Sequence, residues 1–368
     1  MDLAKLRGRL DGVDADLIAL AAERQRLVAE IGRIKRAQGR LLRDFARERE
    51  VLERAGANAA REGLDPELAR SLLQQLIEAS LTTQEQDRVR AVASGAGRAA
   101  LVIGGGGRMG RWFARFLDAQ GYAVTVADPQ GSADAFPSAP DWRALALDHD
   151  LIVVAAPLRA SAEILSALAE RRPRGVVFDI GSLKSPLHDG LAALRDAGVR
   201  VTSIHPMFGP SANVLAGRHV IFIDLGVPEA TSAARELFEH TTAVPVAMSL
   251  DEHDRVIGYV LGLSHALNIA FFTALANSGE LAERLAELSS TTFDRQLAIA
   301  RGVAQENPNL YFEIQRLNRQ GGTALAALES AVTDVLAAVR EGDESRFVGL
   351  MRAGQEYFAG RGRPVAPG

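Results

Sequence analysis

Three groups of residues in this 368-residue chain have types and spacing that suit chemistry. The first is an arginine on an apolar seam. Leu3, Leu6, Leu10, Val13, Leu17, Leu20, Arg24, Leu27, Ile31 and Ile34 recur at alternating spacings of three and four, so one helix face is apolar except at Arg24. An unpaired guanidinium buried there is costly. Arg24 therefore either meets an acid across a helix–helix contact or faces an enclosed anionic ligand. Lys35, eleven residues on, falls within roughly 20° of the same face, whereas Arg7 lies roughly 100° away and points at another site.

The second group follows the apolar strand Ala100-Leu101-Val102-Ile103. Gly104 leads into Gly105-Gly106-Gly107-Arg108-Met109-Gly110, and a helical run begins at Arg111. Gly105-x-Gly107-x-x-Gly110 between a strand and a helix is a dinucleotide fingerprint, in which glycines let the pyrophosphate approach the helix N-terminus. A second strand, residues 123–127, ends in Asp128, where an acid binds ribose hydroxyls and repels a 2′-phosphate, favouring NAD over NADP. The third group waits at later strand ends: Ser182 and Lys184 after one strand, His205 after the next. Ligands gather at such C-terminal ends. A neutral imidazole there can accept a hydrogen bond, a serine hydroxyl can orient a ligand, and a lysine favours anions.

The composition narrows the setting. With 42 basic against 46 acidic side chains, the balance argues against a nucleic-acid partner. The absence of cysteine excludes disulfides, thiolate metal sites and a cysteine nucleophile, and no metal is expected. No apolar run approaches the roughly 18–20 residues that cross a membrane, and residues 1–5 open no signal peptide, so the expectation is a cytoplasmic protein without a membrane partner. Charge is uneven along the chain. Residues 1–90 hold 17 of the basic and 16 of the acidic groups, with one aromatic, Phe45, and one proline, Pro66. That reads as a helical domain ahead of a glycine-rich α/β domain, joined through residues 91–97.

The elements that position these groups follow from local signals. The seam implies a helix of about 36 residues, roughly 50 Å long, which needs a partner of similar length; a homodimer is the simplest source. A second helix runs from near Asp44 to Gly63. Asp65-Pro66-Glu67 then caps a third helix reaching about residue 90. Strands at 100–103, 123–127, 151–155, 175–179, 201–204 and 220–223, mostly separated by helices, predict a doubly wound parallel sheet. Residues 250–360 return to helical periodicity, a bundle serving as a dimer surface and one wall of an active site.

The string Leu6-Arg7, Asp14, Ala22-Glu23-Arg24, Gly32-Arg33-Ile34-Lys35, Arg43-Asp44, Arg47-Glu48-Arg49 and Ser80…Gln84 resembles the all-helical chorismate mutase family through residues 3–86. Taken alone, Arg47-Glu48-Arg49-Glu50 also suits a solvated helix face laced with salt bridges. The resemblance implies an intertwined helical dimer in which Arg7 reaches into the partner's site. It implies that Arg7, Arg24, Arg47 and Lys35 hold the substrate's carboxylates and ether oxygen, that Asp44 and Glu48 bind its hydroxyl, and that Ser80 and Gln84 close the pocket. These types suit the rearrangement. It needs no nucleophile or base, only a dianion held compactly and positive charge or donors at the breaking C–O bond, here Lys35 and Gln84.

Gly104–Gly110, Asp179-Ile180-Gly181-Ser182-Leu183-Lys184, His205-Pro206-Met207-Phe208-Gly209-Pro210, Glu252-His253-Asp254 and His265 resemble prephenate dehydrogenase over roughly residues 99–330. The order resembles the bifunctional chorismate mutase–prephenate dehydrogenases of tyrosine biosynthesis. The implied fold is an all-α mutase domain at 1–91, a linker at 92–98, a Rossmann-like NAD-binding domain at 99–248, and an all-α dimerisation domain at 249–362. The implied dehydrogenase takes a hydride from C4 of prephenate to NAD as CO2 leaves C1. His205 accepts the hydroxyl's hydrogen bond, helped by Ser182. Lys184 biases the pocket toward anions, His265 either contacts the substrate or supports a residue that does, and His253 is structural. One position departs. The family's arginine six residues before the proline of an Asn-Pro turn falls at Gly302, so Arg301 takes that role only with a one-residue insertion in residues 305–308. Two rivals stand beside this reading: the same reactions on 4-amino-4-deoxychorismate and amino-prephenate, or a mutase fused to an inactive nucleotide-sensing module.

Overall fold

The computed structural model describes residues 2–38, 44–132, 134–212, 215 and 217–360. Arg43 and residues 361–362 of the expected last domain lie outside the described residues. The chain forms two compact units, one of Met1–Ser182 with Leu187–Ser249, the other of Leu183–Pro186 with Leu250–Gly368.

The first unit opens with α1 (Leu3–Ala37), α2 (Phe45–Arg61) and α3 (Pro66–Val92). The cap residues act as the sequence predicts. Asp44 accepts from the Arg47 N–H at the start of α2, and Asp65 from the Glu67 N–H with Pro66 in the first turn of α3. The seam of α1 is bare: Leu3, Leu10, Leu17 and Leu20 are about 60% exposed, and every described residue up to Leu20 is exposed. The predicted linker is a packed turn. Ala93 ends α3 in a left-handed conformation, the Gly95 N–H bonds Gln120 O at 2.8 Å, and a Cβ on Gly95 would meet the Tyr122 ring at 2.1 Å.

The sheet follows: β1 (Ala99–Ile103), α4 (Arg108–Ala119), β2 (Ala123–Ala127), β3 (Ser138–Ala139), β4 (Leu151–Val154), α5 (Leu158–Arg171), β5 (Val176–Asp179), α6 (His188–Asp196), β6 (Val201–Pro206), β7 (His219–Ile223), α7 (Pro228–Glu239) and β8 (Val244–Met248). Spatial order is β3-β2-β1-β4-β5-β6-β7-β8. Pairing is parallel across β2-β1-β4-β5-β6, with α4, α5 and α6 among the connections as expected, and the short β3 adds to β2 in parallel. The predicted parallel sheet departs from that pattern at β7, which runs antiparallel to β6. Among the described residues no helix intervenes between β6 and β7, whereas a parallel return needs a crossover connection. β8, parallel to β7, lies beyond the predicted strands. The core lies beneath α4 and α7, where Phe113, Leu117, Phe178, Phe222 and Phe238 meet.

The second unit is helical: α8 (Leu250–Ile257), a wide turn at Gly258–Leu263, α9 (Ser264–Asn277), α10 (Ala282–Glu287), α11 (Thr291–Ala304), α12 (Pro308–Leu317), α13 (Gly321–Glu341) and α14 (Glu344–Gly360). Leu250–Asn277 and Gly321–Glu341 are long and apolar enough to cross a membrane, with mean hydropathy 1.5 and 1.4 over their most apolar stretches. This corrects the expectation of no such segment. Ser264, His265 and Asn268 in the first, and Glu329 and Asp334 in the second, interrupt any unbroken apolar run while the average stays high.

Candidate active site

Helices α1 and α3 bring part of the mutase set together. The Arg24 Nη1 donates to Leu76 O and to Ser80 Oγ, both at 3.1 Å. Burial lowers the Arg24 pKa, yet a guanidinium stays charged at any physiological pH. One turn beyond Ser80, Gln84 donates to Val28 O at 3.1 Å, and its side chain lies against Gly32, where a Cβ would sit 3.0 Å from Gln84 Cγ. Ser80 and Gln84 are buried, and Lys35 is half-buried. Arg24, Ser80 and Gln84 thus lie along the contact of the two helices.

The α2 residues take other partners. Arg47 pairs with Glu50 at 2.6 Å on an exposed helix face, and Asp44 is occupied as the cap of α2. Glu48 is half-buried, and Arg7 is exposed on α1.

The glycine turn has the backbone that a pyrophosphate needs. Gly104 sits at φ +84, a left-handed conformation that side chains resist. A Cβ on Gly106 would meet Asp128 Cγ at 2.7 Å, and one on Gly110 would meet Gly104 O at 2.1 Å. The turn is therefore a cradle that side chains would fill, closed by α4, whose first residues are Arg108 and Met109. Asp128 accepts from the Gly106 N–H at 3.1 Å, which sets its carboxylate at the rim as a ribose ligand requires. The residues fit NAD. Gly110→Ala is expected to raise the KM for NAD at least tenfold at unchanged mutase turnover. Forcing in a methyl group costs about 1–3 kcal/mol, and parallel NADH-absorbance and chorismate-disappearance assays read the outcome.

Ser182 and His205 belong to the first unit, at the ends of adjacent parallel strands: Asp179 pairs with Ser203 between β5 and β6. His205 is 5% exposed. The Ser182 Oγ is buried with no hydrogen-bond partner among the described residues, which leaves it available to a ligand.

Lys184, His253, His265 and Arg301 belong to the second unit. Lys184 is fully buried and its N–H donates to Asp254 Oδ1 at 2.9 Å; Ser185 donates to the other carboxylate oxygen through both its N–H and its hydroxyl. His253 Nδ1 lies 2.8 Å from Asp254 Oδ1. Burial pushes the Asp254 pKa up, but the bonds from His253, Ser185 and the Lys184 N–H outweigh it and hold the carboxyl below the ordinary value of 3.8. The stabilisation is therefore complete above the unfolded-state pKa and is lost as pH falls through the lower folded value. Asp254→Asn, which leaves one oxygen to serve these donors, is expected to cost about 1–3 kcal/mol at neutral pH and to flatten the acid limb of a Tm-against-pH curve. An unchanged acid limb would refute this account.

His265 stacks on Tyr311 with ring centroids 4.1 Å apart, and its Nδ1 is buried without a hydrogen-bond partner among the described residues. Burial lowers its pKa, favouring the neutral form. Arg301 is exposed in the last turn of α11, which is regular through Gly302; Asn307 caps α12.

Sequence reasoning missed two carboxylates and one amide. Gln25, beside Arg24, donates to Leu76 O and accepts from Ser80 Oγ. Asp254 organises the strap at 183–186, although its histidine neighbour carried the motif. Glu85, next to Gln84, is 4% exposed and bonds Leu215 and Thr242. Only burial distinguishes these residues from the solvated charges around them.

Residues 6–85 match chorismate mutase type II, 131–246 the nucleotide-binding domain of prephenate dehydrogenase, and 249–353 its dimerization domain. The T-protein of Enterobacter agglomerans is 26% identical over 97% of this chain and 93% of its own length. The 4-amino-4-deoxyprephenate dehydrogenase of Streptomyces pristinaespiralis is 29% identical over 68% of this chain and 88% of its own length. The crystal structure of prephenate dehydrogenase from A. aeolicus, in complex with hydroxyphenyl propionate and NAD+, aligns with 71% of this chain and 98% of its own at TM-score 0.56 and 20% identity, a likeness of fold. With a mutase domain followed by both dehydrogenase domains, this chain belongs to the bifunctional chorismate mutase–prephenate dehydrogenase family.

Proposed function

We infer that the chain rearranges chorismate to prephenate and then, with NAD, oxidatively decarboxylates prephenate to 4-hydroxyphenylpyruvate in tyrosine biosynthesis. The observation that carries this reading is the presence in one chain, in order, of the mutase domain and both dehydrogenase domains.

In the mutase, Arg24 and Arg47, with Arg7 from a second copy, hold the two carboxylates. Lys35 and Gln84 donate to the ether oxygen as its bond to carbon breaks, Asp44 and Glu48 take the hydroxyl, and Ser80 orients Arg24. Arg47 must leave Glu50 to serve, a small cost for an exposed pair. In the dehydrogenase, the glycine turn seats the pyrophosphate and Asp128 the ribose. When bound, NAD supplies the hydride acceptor. His205 accepts the hydrogen bond of the C4 hydroxyl, Ser182 orients it, and Lys184, His265 and Arg301 bind the carboxylates. Loss of CO2 from C1 leaves its bonding pair in the ring, which becomes aromatic.

The assembly is a homodimer. Its support is the match to a dimerization domain, the bare seam of α1, and the exposed Val332, Val335, Leu336 and Val339 of α13, all faces that a second copy would cover.

A second reading, amino-prephenate as the dehydrogenase substrate, is favoured by Gly302 at the family's arginine position and by the S. pristinaespiralis relative. Purified enzyme supplied with chorismate and NAD is expected to form NADH and 4-hydroxyphenylpyruvate. A kcat/KM higher for amino-prephenate than for prephenate would install the second reading, and no NADH from either would refute both.

A further inference from the structure

Two adjacent residues of α3 face different neighbours. Gln84 bonds Val28 O on α1, while Glu85, about 100° round the helix, turns to the sheet. There its carboxylate is almost wholly buried, and a buried charge is tolerated only with full hydrogen bonding. Three donors supply it: the Leu215 N–H at 3.0 Å, the Thr242 N–H at 2.9 Å and the Thr242 hydroxyl at 3.0 Å. Bonds of this kind, to an ionised acceptor, are the strong ones.

Leu215 lies in the connection that leaves His205. That connection runs from Pro206, the last residue of β6, to His219, the first of β7. It is fixed at its base by the Met207 N–H to His219 O at 2.9 Å, in its middle by Trp112 Nε1 to Ala212 O at 2.9 Å, and near its end by Glu85 and by the buried Leu215 side chain. Trp112 comes from the helix of the dinucleotide turn, but Glu85 comes from the mutase domain. Both lie in the same compact unit as the sheet.

We propose that Glu85, a residue of the mutase helix α3, is a positioning residue for the dehydrogenase reaction, holding the segment that follows His205 through Leu215 and the turn before β8 through Thr242. The proposal rests on the assignment of His205 to the dehydrogenase made above. Removing the carboxylate leaves two N–H groups unpaired, that of Leu215 buried and that of Thr242 half-buried, and frees the segment to shift, and a misplacement of about 1 Å at a reacting group lowers a rate by about 10²-fold.

The test uses the full-length enzyme and assays both activities separately, with chorismate and with supplied prephenate plus NAD. Glu85→Ala is expected to lower dehydrogenase kcat by about 10- to 100-fold, with KM for NAD unchanged, mutase kcat/KM within twofold, and the acid limb of the dehydrogenase pH profile displaced. Glu85→Gln, which keeps an oxygen acceptor, restores most of kcat. If Glu85→Ala folds poorly, Thr242→Val removes the hydroxyl donor alone and is expected to give a smaller loss of the same kind. Wild-type dehydrogenase kcat in a folded Glu85→Ala enzyme overturns the proposal. So does an equal fall in both activities with an unmoved pH profile, which marks a merely structural contact. Absence of prephenate oxidation by the wild-type enzyme instead overturns the functional reading beneath it.

Discussion

His205→Asn is expected to lower NADH formation from prephenate by about 10²- to 10⁴-fold while chorismate still disappears at the wild-type rate, because a positioned acid–base group contributes a factor of that size. The imidazole stands where the sheet exposes its chemistry: near the end of β6, 5% exposed, opposite Ile221 of the antiparallel neighbour. Asparagine matches histidine in reach to one ring nitrogen and its amide oxygen still accepts a hydrogen bond but takes up no proton, so loss of activity would isolate the imidazole's basicity while the ring hydroxyl is oxidised. KM for NAD is expected to hold, since the dinucleotide turn lies in a separate part of the sheet. Product accumulation should then stop at prephenate, which acid treatment and chromatography detect. A variant that keeps NADH formation within tenfold of wild type would remove His205 from the mechanism.

The converse result is expected for Arg24→Ala: a loss of at least about 10²-fold in mutase kcat/KM with dehydrogenase turnover of supplied prephenate unchanged. The guanidinium is held by Leu76 O and Ser80 Oγ, which occupy part of its fork of donors and leave the rest for a carboxylate. Arg24→Lys should recover only a fraction of the loss, because an ammonium supplies a point charge without the planar fork. The two variants together test whether the sites are separate. Because α1, α3 and the sheet belong to one compact unit, a folding defect would reach both activities, and circular dichroism separates that case. If either variant lost both reactions while folded as wild type, the model of two independent chemistries would fail.

These outcomes rest on features of different visibility. The caps at Asp44 and Asp65-Pro66, the glycine turn and its Asp128 were legible because each is a local solution to a local problem: unsatisfied N–H groups at a helix start, or a backbone packed so closely on its neighbour that no Cβ fits between. The antiparallel β7 was not legible. Its direction depends on how residues 207–218 return, and an apolar strand reads the same both ways. The packed turn at 93–97 escaped for a related reason. Its glycine signals flexibility in the sequence, but in the fold Gly95 is required by the Tyr122 ring lying over it. The apolar helices of the second unit were underestimated because hydropathy was sought in unbroken runs.

By itself, the sequence determined which residues are able to act and which local elements carry them: Arg24 on its seam, the strand–glycine–helix turn, and Ser182 and His205 after their strands. Tertiary structure alone decided which of the many charges are withdrawn from water and what they hold. Arg24 meets Ser80 across 56 positions, Asp254 meets Ser185 across 69, and Glu85 reaches Leu215 across 130. The physical reason is that a charge is inexpensive on a helix surface and costly inside, and its position relative to water is set by elements distant in sequence that pack over it. The same helix therefore turns Gln84 to α1 and Glu85 to the connection before β7, a division that no local spacing encodes.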